Sequence, residues 1–326
     1  MQPRWRLALV PLILVACSED ASSTPTPTTS SSGGTGGGSA TGGGGSATGG
    51  SNSTSGGGGT TGTGSGTGGG GGATGGMGCS MGGMGGAGGA AWNPSQLSGL
   101  NLWLEASTCV VTSGSNVSSW GDLSGHGNDA TQSFLSAQPA VAVSAINGLP
   151  AIEFDGVNDS LIIADDPTLN PLLDTYLHLA VGRFVSGSGG YDLWMSKATN
   201  AVGSNWRLFR NSVSQLQLYW GNDSQAYGGS TGSVADGTDT IVGWGVDAFT
   251  NQLIYVVGSN IERRTVLGQG AGSNALDVRL ATDGVQVWSK IRIAEHLFYV
   301  RSGAAFPDAD IHQLIDYFDA KYALGL

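Results

Sequence analysis

From Ser18 to about Ala91 the chain is built almost wholly from Gly, Ser, Thr and Ala, with prolines at Pro25 and Pro27, acids at Glu19 and Asp20, and no aromatic residue. Such a stretch cannot bury enough apolar surface to offset the entropy of ordering it, so disorder is predicted. The strict third-residue glycine and the prolines of a collagen helix are missing. Its roughly 74 residues give a root-mean-square span of about 50 Å and a fully extended reach of about 250 Å. Folding is thereby confined to Trp92–Leu326, which holds every Trp, Tyr and Phe beyond Trp5. That length of about 235 residues suits one β-sandwich domain.

The segment before the tract is short and apolar. Arg4 and Arg6 precede the run Leu7–Ala16, which is too short to span a hydrocarbon layer of about 30 Å as a helix. It ends in Leu14-Val15-Ala16-Cys17, which resembles the signal of bacterial lipoproteins. The resemblance implies cleavage before Cys17, lipidation of Cys17, and an outer-membrane or cell-surface location with the membrane as a partner. An ordinary secretory signal beside a chance cysteine is the other reading. The expected organisation is a signal peptide at 1–16, a lipidated cysteine and linker at 17–91, and a folded domain at 92–326.

Two of the 13 basic residues, Arg4 and Arg6, and two of the 24 acidic residues, Glu19 and Asp20, lie before Trp92, leaving 11 basic against 22 acidic in the domain. With no Lys/Arg run, nucleic acid is disfavoured as a partner. Three cysteines are present. With Cys17 assigned to lipid, Cys79 and Cys109 are an even pair in an oxidising compartment. They either form a disulfide stapling the end of the linker to the domain, or leave a buried Cys109 and an idle Cys79.

Within the domain, short runs of β-type residues recur between Gly, Asn, Asp and Ser clusters: Leu100–Leu104, Pro139–Ile146, Ala151–Phe154, Leu161–Ala164, Thr175–Val185, Tyr191–Ser196, Trp206–Phe209, Gln215–Trp220, Thr240–Val246, Asn251–Val257, Val278–Ala281 and Lys290–Val300. This spacing predicts an all-β antiparallel sandwich. In Thr175–Val185, Leu177, Leu179 and Val181 fall on one face and Tyr176, His178 and Phe184 on the other. Only Ile311, Leu314, Ile315, Phe318 and Tyr322 recur at helical spacing, which predicts a C-terminal α-helix over about Asp308–Tyr322. Trp103 and Trp120 read as core anchors, each needing a partner for its indole N–H.

The blocks Leu102-Trp103-Leu104-Glu105-Ala106, Trp120-Gly121-Asp122-Leu123-Ser124-Gly125-His126-Gly127-Asn128-Asp129, Ile146-Asn147-Gly148-Leu149-Pro150, Phe154-Asp155-Gly156-Val157-Asn158-Asp159, Ala294-Glu295 and Ala320-Lys321-Tyr322 follow one another across nearly all of 92–326. Together they resemble the bacterial laminin-G-like, concanavalin-A-like jelly roll of the lectin/glucanase superfamily. The resemblance implies a two-sheet jelly roll with one curved face. It implies carbohydrate or glycoprotein binding only loosely, because one sandwich hosts lectins, glycosidases and plain interaction modules.

Candidate chemistry is sparse. Related glucanases carry Glu-x-Asp-x-Glu, and glycoside cleavage needs a carboxylate pair; the nearest match, Glu153-Phe154-Asp155-Gly156-Val157, has valine for the third acid. No catalytic residue is assigned and no enzyme is expected. Of the four histidines, only His126, in the Gly-rich loop, stands out. Asp122, Asn128, Asp155 and Asp159 offer hard oxygen ligands suited to Ca²⁺, and turn or capping roles account for the same four. Trp194, Trp206 and Trp244 add aromatic surface, but the best ligand-contact candidates are Tyr219, Trp220, Asn222, Asp223 and Tyr227. Alternation in Gln215–Trp220 puts Gln215, Gln217 and Tyr219 on one face and Leu216, Leu218 and Trp220 on the other. The expected function is a non-catalytic carbohydrate- or ligand-binding module, with a structural or adhesive coat protein and a glycosidase or lyase of the same fold as alternatives.

Overall fold

The computed structural model describes residues 92–185, 191–198, 205–220, 226–227, 229–265 and 274–326. In chain order the strands are β1 (Leu100–Glu105), β2 (Val110–Ser113), β3 (Asn116–Trp120), β4 (Ala130–Thr131), β5 (Ala140–Ile146), β6 (Leu149–Asp155), β7 (Leu161–Ile163), β8 (Thr175–Phe184), β9 (Asp192–Lys197), β10 (Trp206–Arg210), β11 (Leu216–Trp220), β12 (Ala226–Tyr227), β13 (Thr240–Asp247), β14 (Gln252–Val257), β15 (Asn260–Thr265), β16 (Val278–Leu280) and β17 (Lys290–Arg301). Helix α1 spans Asp308–Tyr322.

All ladders are antiparallel, and they divide into two layers. The first sheet runs β5–β6–β17–β8–β13–β14–β15; β6 flanks the first part of β17, and β1 takes the same edge from Glu295 onward. The second runs β2–β3–β4–β7–β16–β9–β10–β11–β12. One pairing, Asn116 with Ala140, links the two.

Two cores follow from this layering. Between the sheets, Trp120, Trp194, Trp206 and Trp220 of the second sheet meet Tyr176, Phe184, Trp244 and Phe298 of the first. Burying a large apolar side chain is worth roughly 1.5–3 kcal/mol, so this aromatic layer supplies much of the adhesion between sheets. The second core lies on the far face of the first sheet, where Leu177, Leu179, Val181, Ile254 and Leu297 pack under Ile311, Leu314, Ile315, Phe318 and Tyr322 of α1. The two faces read for Thr175–Val185 are therefore both inside, one per core. Buried on both sides, such a strand shows a nearly continuous apolar run rather than a clean alternation.

The helix begins after Pro307, with Asp308 and Asp310 in its first turn and Lys321 in its last, the charge order its dipole favours. It stops at Ala323, whose φ is +49°. The start of the domain is fixed to the same side: Trp92 sets its ring edge on Tyr317 of α1 at 5.8 Å, and the Tyr299 hydroxyl donates to the Pro94 carbonyl at 2.9 Å.

The short elements β2, β3, β4, β12 and β15 are absent from the pattern read in the sequence. β15 carries Glu262, Arg263 and Arg264 and lies at the edge of its sheet, where charge discourages edge-to-edge association.

Gly182, on β8, is hemmed in by its neighbour strand β17 and by a tryptophan of the other sheet. A Cβ there would sit 2.1 Å from the Arg292 carbonyl oxygen and 2.6 Å from the Trp194 ring. Backbone cannot withdraw as a flexible side chain can, so Gly182→Ala is expected to lower stability by about 1–3 kcal/mol. A urea melt measures the shift, and an unchanged midpoint would contradict this packing.

Candidate functional site

Helix α1 covers the outer face of the first sheet, whereas no described helix covers the outer face of the second. Alternation decides what that second face displays. Ala130, Leu161, Ile163, Val278, Leu280, Trp206, Leu208, Leu218 and Trp220 all turn into the sandwich, so their neighbours turn out. Cross-strand register then aligns the outward residues in one row: Thr131 opposite Ile162, Ile162 opposite Arg279, Arg279 opposite Ser196, Ser196 opposite Arg207, and Arg207 opposite Tyr219. The row crosses six strands, about 24 Å at the usual strand spacing. Beside it Phe209 lies opposite Gln217. The Tyr219 and Phe209 rings stack at 4.8 Å, and Tyr191 meets Phe209 edge-on at 5.4 Å.

Electrostatically the row is uneven. Burial and then Tyr191 push the Tyr219 phenol above its usual pKa, although Arg207 works the other way, so the phenol is a neutral donor at physiological pH. Arg279 takes part in no ion pair and donates no hydrogen bond among the described residues; its guanidinium lies against Gly284. Ser196, between the two arginines, is buried and donates to the Thr282 carbonyl at 3.1 Å. At the β4 end the row opens into a groove of about 510 Å³ lined by Ser118, Thr131, Gln132, Phe134 and Ile162, among others, with Phe134 71% exposed.

The structure separates the residues singled out in the sequence. Tyr219 is half-buried on the outer face. Trp220 is corrected: only 5% exposed, it points into the sandwich with Leu216 and Leu218 and meets Tyr176 edge-on at 6.4 Å, so its ring is not a surface for a ligand. Trp194, Trp206 and Trp244 are likewise interior. Asn222 and Asp223 lie outside the described residues, as does the side chain of Tyr227, whose backbone pairs with Leu218.

The four calcium candidates all take part in turn or loop hydrogen bonds. Asp122 turns both carboxylate oxygens to its surroundings, accepting from the N–H groups of Trp103, Ser124 and Asn128 at 2.9–3.0 Å and from the Ser124 hydroxyl at 2.7 Å. Asn128 Nδ2 donates to the Asn101 carbonyl and to Thr168 Oγ1. Asp155 Oδ1 accepts from the N–H of Val157, Asn158 and Asp159, and Asp159 Oδ2 accepts from the N–H of Asp155. These are turn-closing bonds, and no group of three or more His, Cys, Asp or Glu among the described residues is placed to hold a metal. Burial, with Asp155 and Glu153 nearby, pushes Asp159 up to about 6. Glu153 is paired with Arg292 at 2.7 Å. Cys109 is a half-cystine at φ +58°; Cys17 and Cys79 lie outside the described residues. His126 is exposed, its N–H donating to Ser124 Oγ.

Two buried polar clusters escaped the sequence reading. Glu295, wholly buried on β17, accepts from Trp103 Nε1 at 2.7 Å, Tyr317 Oη at 3.0 Å, Lys321 Nζ at 2.7 Å and Tyr322 Oη at 2.9 Å. Trp103 thus finds its indole partner, while the Trp120 indole has none among the described residues. Between the sheets, His178 and His296 meet at 3.1 Å. Trp194 Nε1 donates to His296 Nδ1 at 3.3 Å. We infer from that bond that the His296 proton is on Nε2 and is donated to His178 Nδ1.

No family model and no curated protein matches the chain. Among solved structures, the binding domain of botulinum neurotoxin DC in complex with rat synaptotagmin II is 12% identical with a TM-score of 0.49, covering 67% of this chain and 51% of that one. The binding domain of Paraclostridial Mosquitocidal Protein 1 is 12% identical at a TM-score of 0.48, covering 68% and 53%. Trypanosoma rangeli sialidase is 15% identical at a TM-score of 0.47, covering 67% and 33%. This chain thus spans about half the length of the toxin domains and about a third of the sialidase.

Proposed function

We propose that this protein is a non-catalytic binding module for an extracellular polysaccharide or glycoprotein, held at the cell surface by lipid on Cys17 and displayed on the 17–91 linker. The observation that carries the reading is the outer face of the second sheet. It combines an aromatic stack, Tyr219 on Phe209, with hydrogen-bonding groups from Gln217 and the arginines in a row long enough for several sugar residues. A sugar ring offers an apolar C–H face and a hydroxyl rim, and such a row answers both. Catalysis is not part of the proposal, because Glu153 is held in an ion pair with Arg292 and Asp155 closes a turn.

The full chain is expected to be retained on a glycan array without releasing reducing ends from the bound glycan, and Tyr219→Ala is expected to weaken retention at least tenfold. Release of reducing ends would make the protein a glycosidase. Retention unaffected by Tyr219→Ala would place the ligand elsewhere. The anchor is tested apart from this: Cys17→Ala is expected to move the protein from the membrane fraction to the soluble one.

A further inference from the structure

The outward row of the second sheet carries two cations in a protein whose net charge is −11. Arg279 on β16 and Arg207 on β10 both lie opposite Ser196 of β9, so their backbones are two strand steps apart, about 10 Å. Two like charges on one face of a sheet are unfavourable unless something of opposite sign lies over or under them.

Arg207 has such a charge near it in Asp283, whereas Arg279 forms no ion pair among the described residues. Burial works against the Asp283 carboxylate, but the N–H groups of Val285, Gln286 and Val287, all converging on Oδ1, and the nearby Arg207 hold it below the usual range, so it stays ionised beside that arginine. Asp277, two residues before Arg279 and so of the same strand parity, accepts from the Asp165 N–H at 3.1 Å and forms no ion pair with the arginine. Arg279 therefore presents a half-buried, uncompensated guanidinium whose stem is pinned against Gly284. A guanidinium held in this way is preorganised to form a forked pair with a planar carboxylate.

We propose that the ligand of this face is an acidic polysaccharide, a polyuronate, laid across the strands with a carboxylate on Arg279 and a sugar face on Tyr219. The inference rests on the binding reading above and adds the charge of the ligand to it. Charge complementarity selects the class: a neutral glucan leaves Arg279 unanswered. Ser196, buried between the arginines with its hydroxyl committed to Thr282, leaves the interval between the two cations free of a competing side-chain charge.

The test is calorimetric titration of the full chain with polygalacturonate and with dextran, at low and high salt, using wild type, Arg279→Gln and Tyr219→Ala. Wild type is expected to bind polygalacturonate at least tenfold more tightly than dextran, with affinity falling as salt rises. Arg279→Gln is expected to erase that preference and leave the thermal midpoint unchanged; Tyr219→Ala is expected to weaken both ligands. Equal binding of the two polymers, or a preference that survives Arg279→Gln, would overturn the acidic-ligand inference while leaving the binding module standing. Failure to bind either polymer, or binding indifferent to Tyr219→Ala, would remove the site itself. Duplex DNA is the control for charge alone, and binding as tight as polygalacturonate would also overturn the inference.

Discussion

Lys321→Met is expected to cost the domain about 3–5 kcal/mol, the usual penalty for stranding one member of a buried ion pair, or on the order of 10 °C in Tm for a domain of this size. Lys321 Nζ reaches Glu295 Oε2 at 2.7 Å, Glu105 Oε1 at 2.9 Å and Tyr317 Oη at 2.9 Å. It is the cation that balances a carboxylate with no solvent contact. Burial pushes Glu295 above its usual pKa and Lys321 pulls it back down; without the lysine the carboxylate rises further. A folded-state pKa above the unfolded value costs stability as pH rises through it, so the deficit of the variant relative to wild type should be larger at pH 8 than at pH 5. The double variant Glu295→Gln/Lys321→Met removes the stranded charge and is expected to regain at least about 1 kcal/mol over the single one. Urea melts at the two pH values decide the matter. A Lys321→Met protein within about 0.5 kcal/mol of wild type would show that the helix is held by its apolar stripe alone.

The second large effect is acid destabilisation from the histidine pair. Burial holds His178 and His296 neutral, His178 well below its ordinary value and His296 lowered to about 3. In the unfolded chain both take up protons near 6.5. The unfolded state thus binds more protons as pH falls below 6.5, and stability declines with it. At pH 4.5 His296 alone contributes a loss of about 2.7 kcal/mol, two pH units at about 1.36 kcal/mol each. Protonation also breaks the pair, since two imidazolium rings cannot share the bond between Nε2 and Nδ1. Denaturant melts from pH 7 to pH 5 are expected to show a slope of about one proton, the two histidines together less the proton that Asp159, raised to about 6, takes up in the folded state. His178→Phe is expected to reduce that slope by about one. If His178→Phe leaves the slope unchanged, the rings are not buried in neutral form.

Several of these features were legible from residue pattern and several were not. The helix could be placed residue by residue because its stripe repeats through four turns and its ends carry the charges a dipole favours. Longer strands were visible for the same reason: a buried face leaves a regular apolar mark. The hairpin of β2 and β3 left none, because Val110–Asn116 is mostly exposed and polar. Tyr219 and Trp220 show where local pattern and chemical intuition part. Alternation separated them, while the habit of expecting tryptophan at sugar sites promoted Trp220, whose ring lies in the core. Glu295 and Lys321 could not be paired from pattern, because one sits on a strand and the other 26 residues on, on a helix laid across it. The alignment of Arg279 with Arg207 was equally hidden, since it depends on a register in which strands distant in sequence flank β9.

The way the polypeptide joins its folded body has a practical consequence. Trp92 is moored to Tyr317, on the back of the molecule beneath the helix, whereas the row ending at Tyr219 looks out from the front. A bulky label carried on the solvent side of α1 would therefore stand on the opposite side of the sandwich from that row.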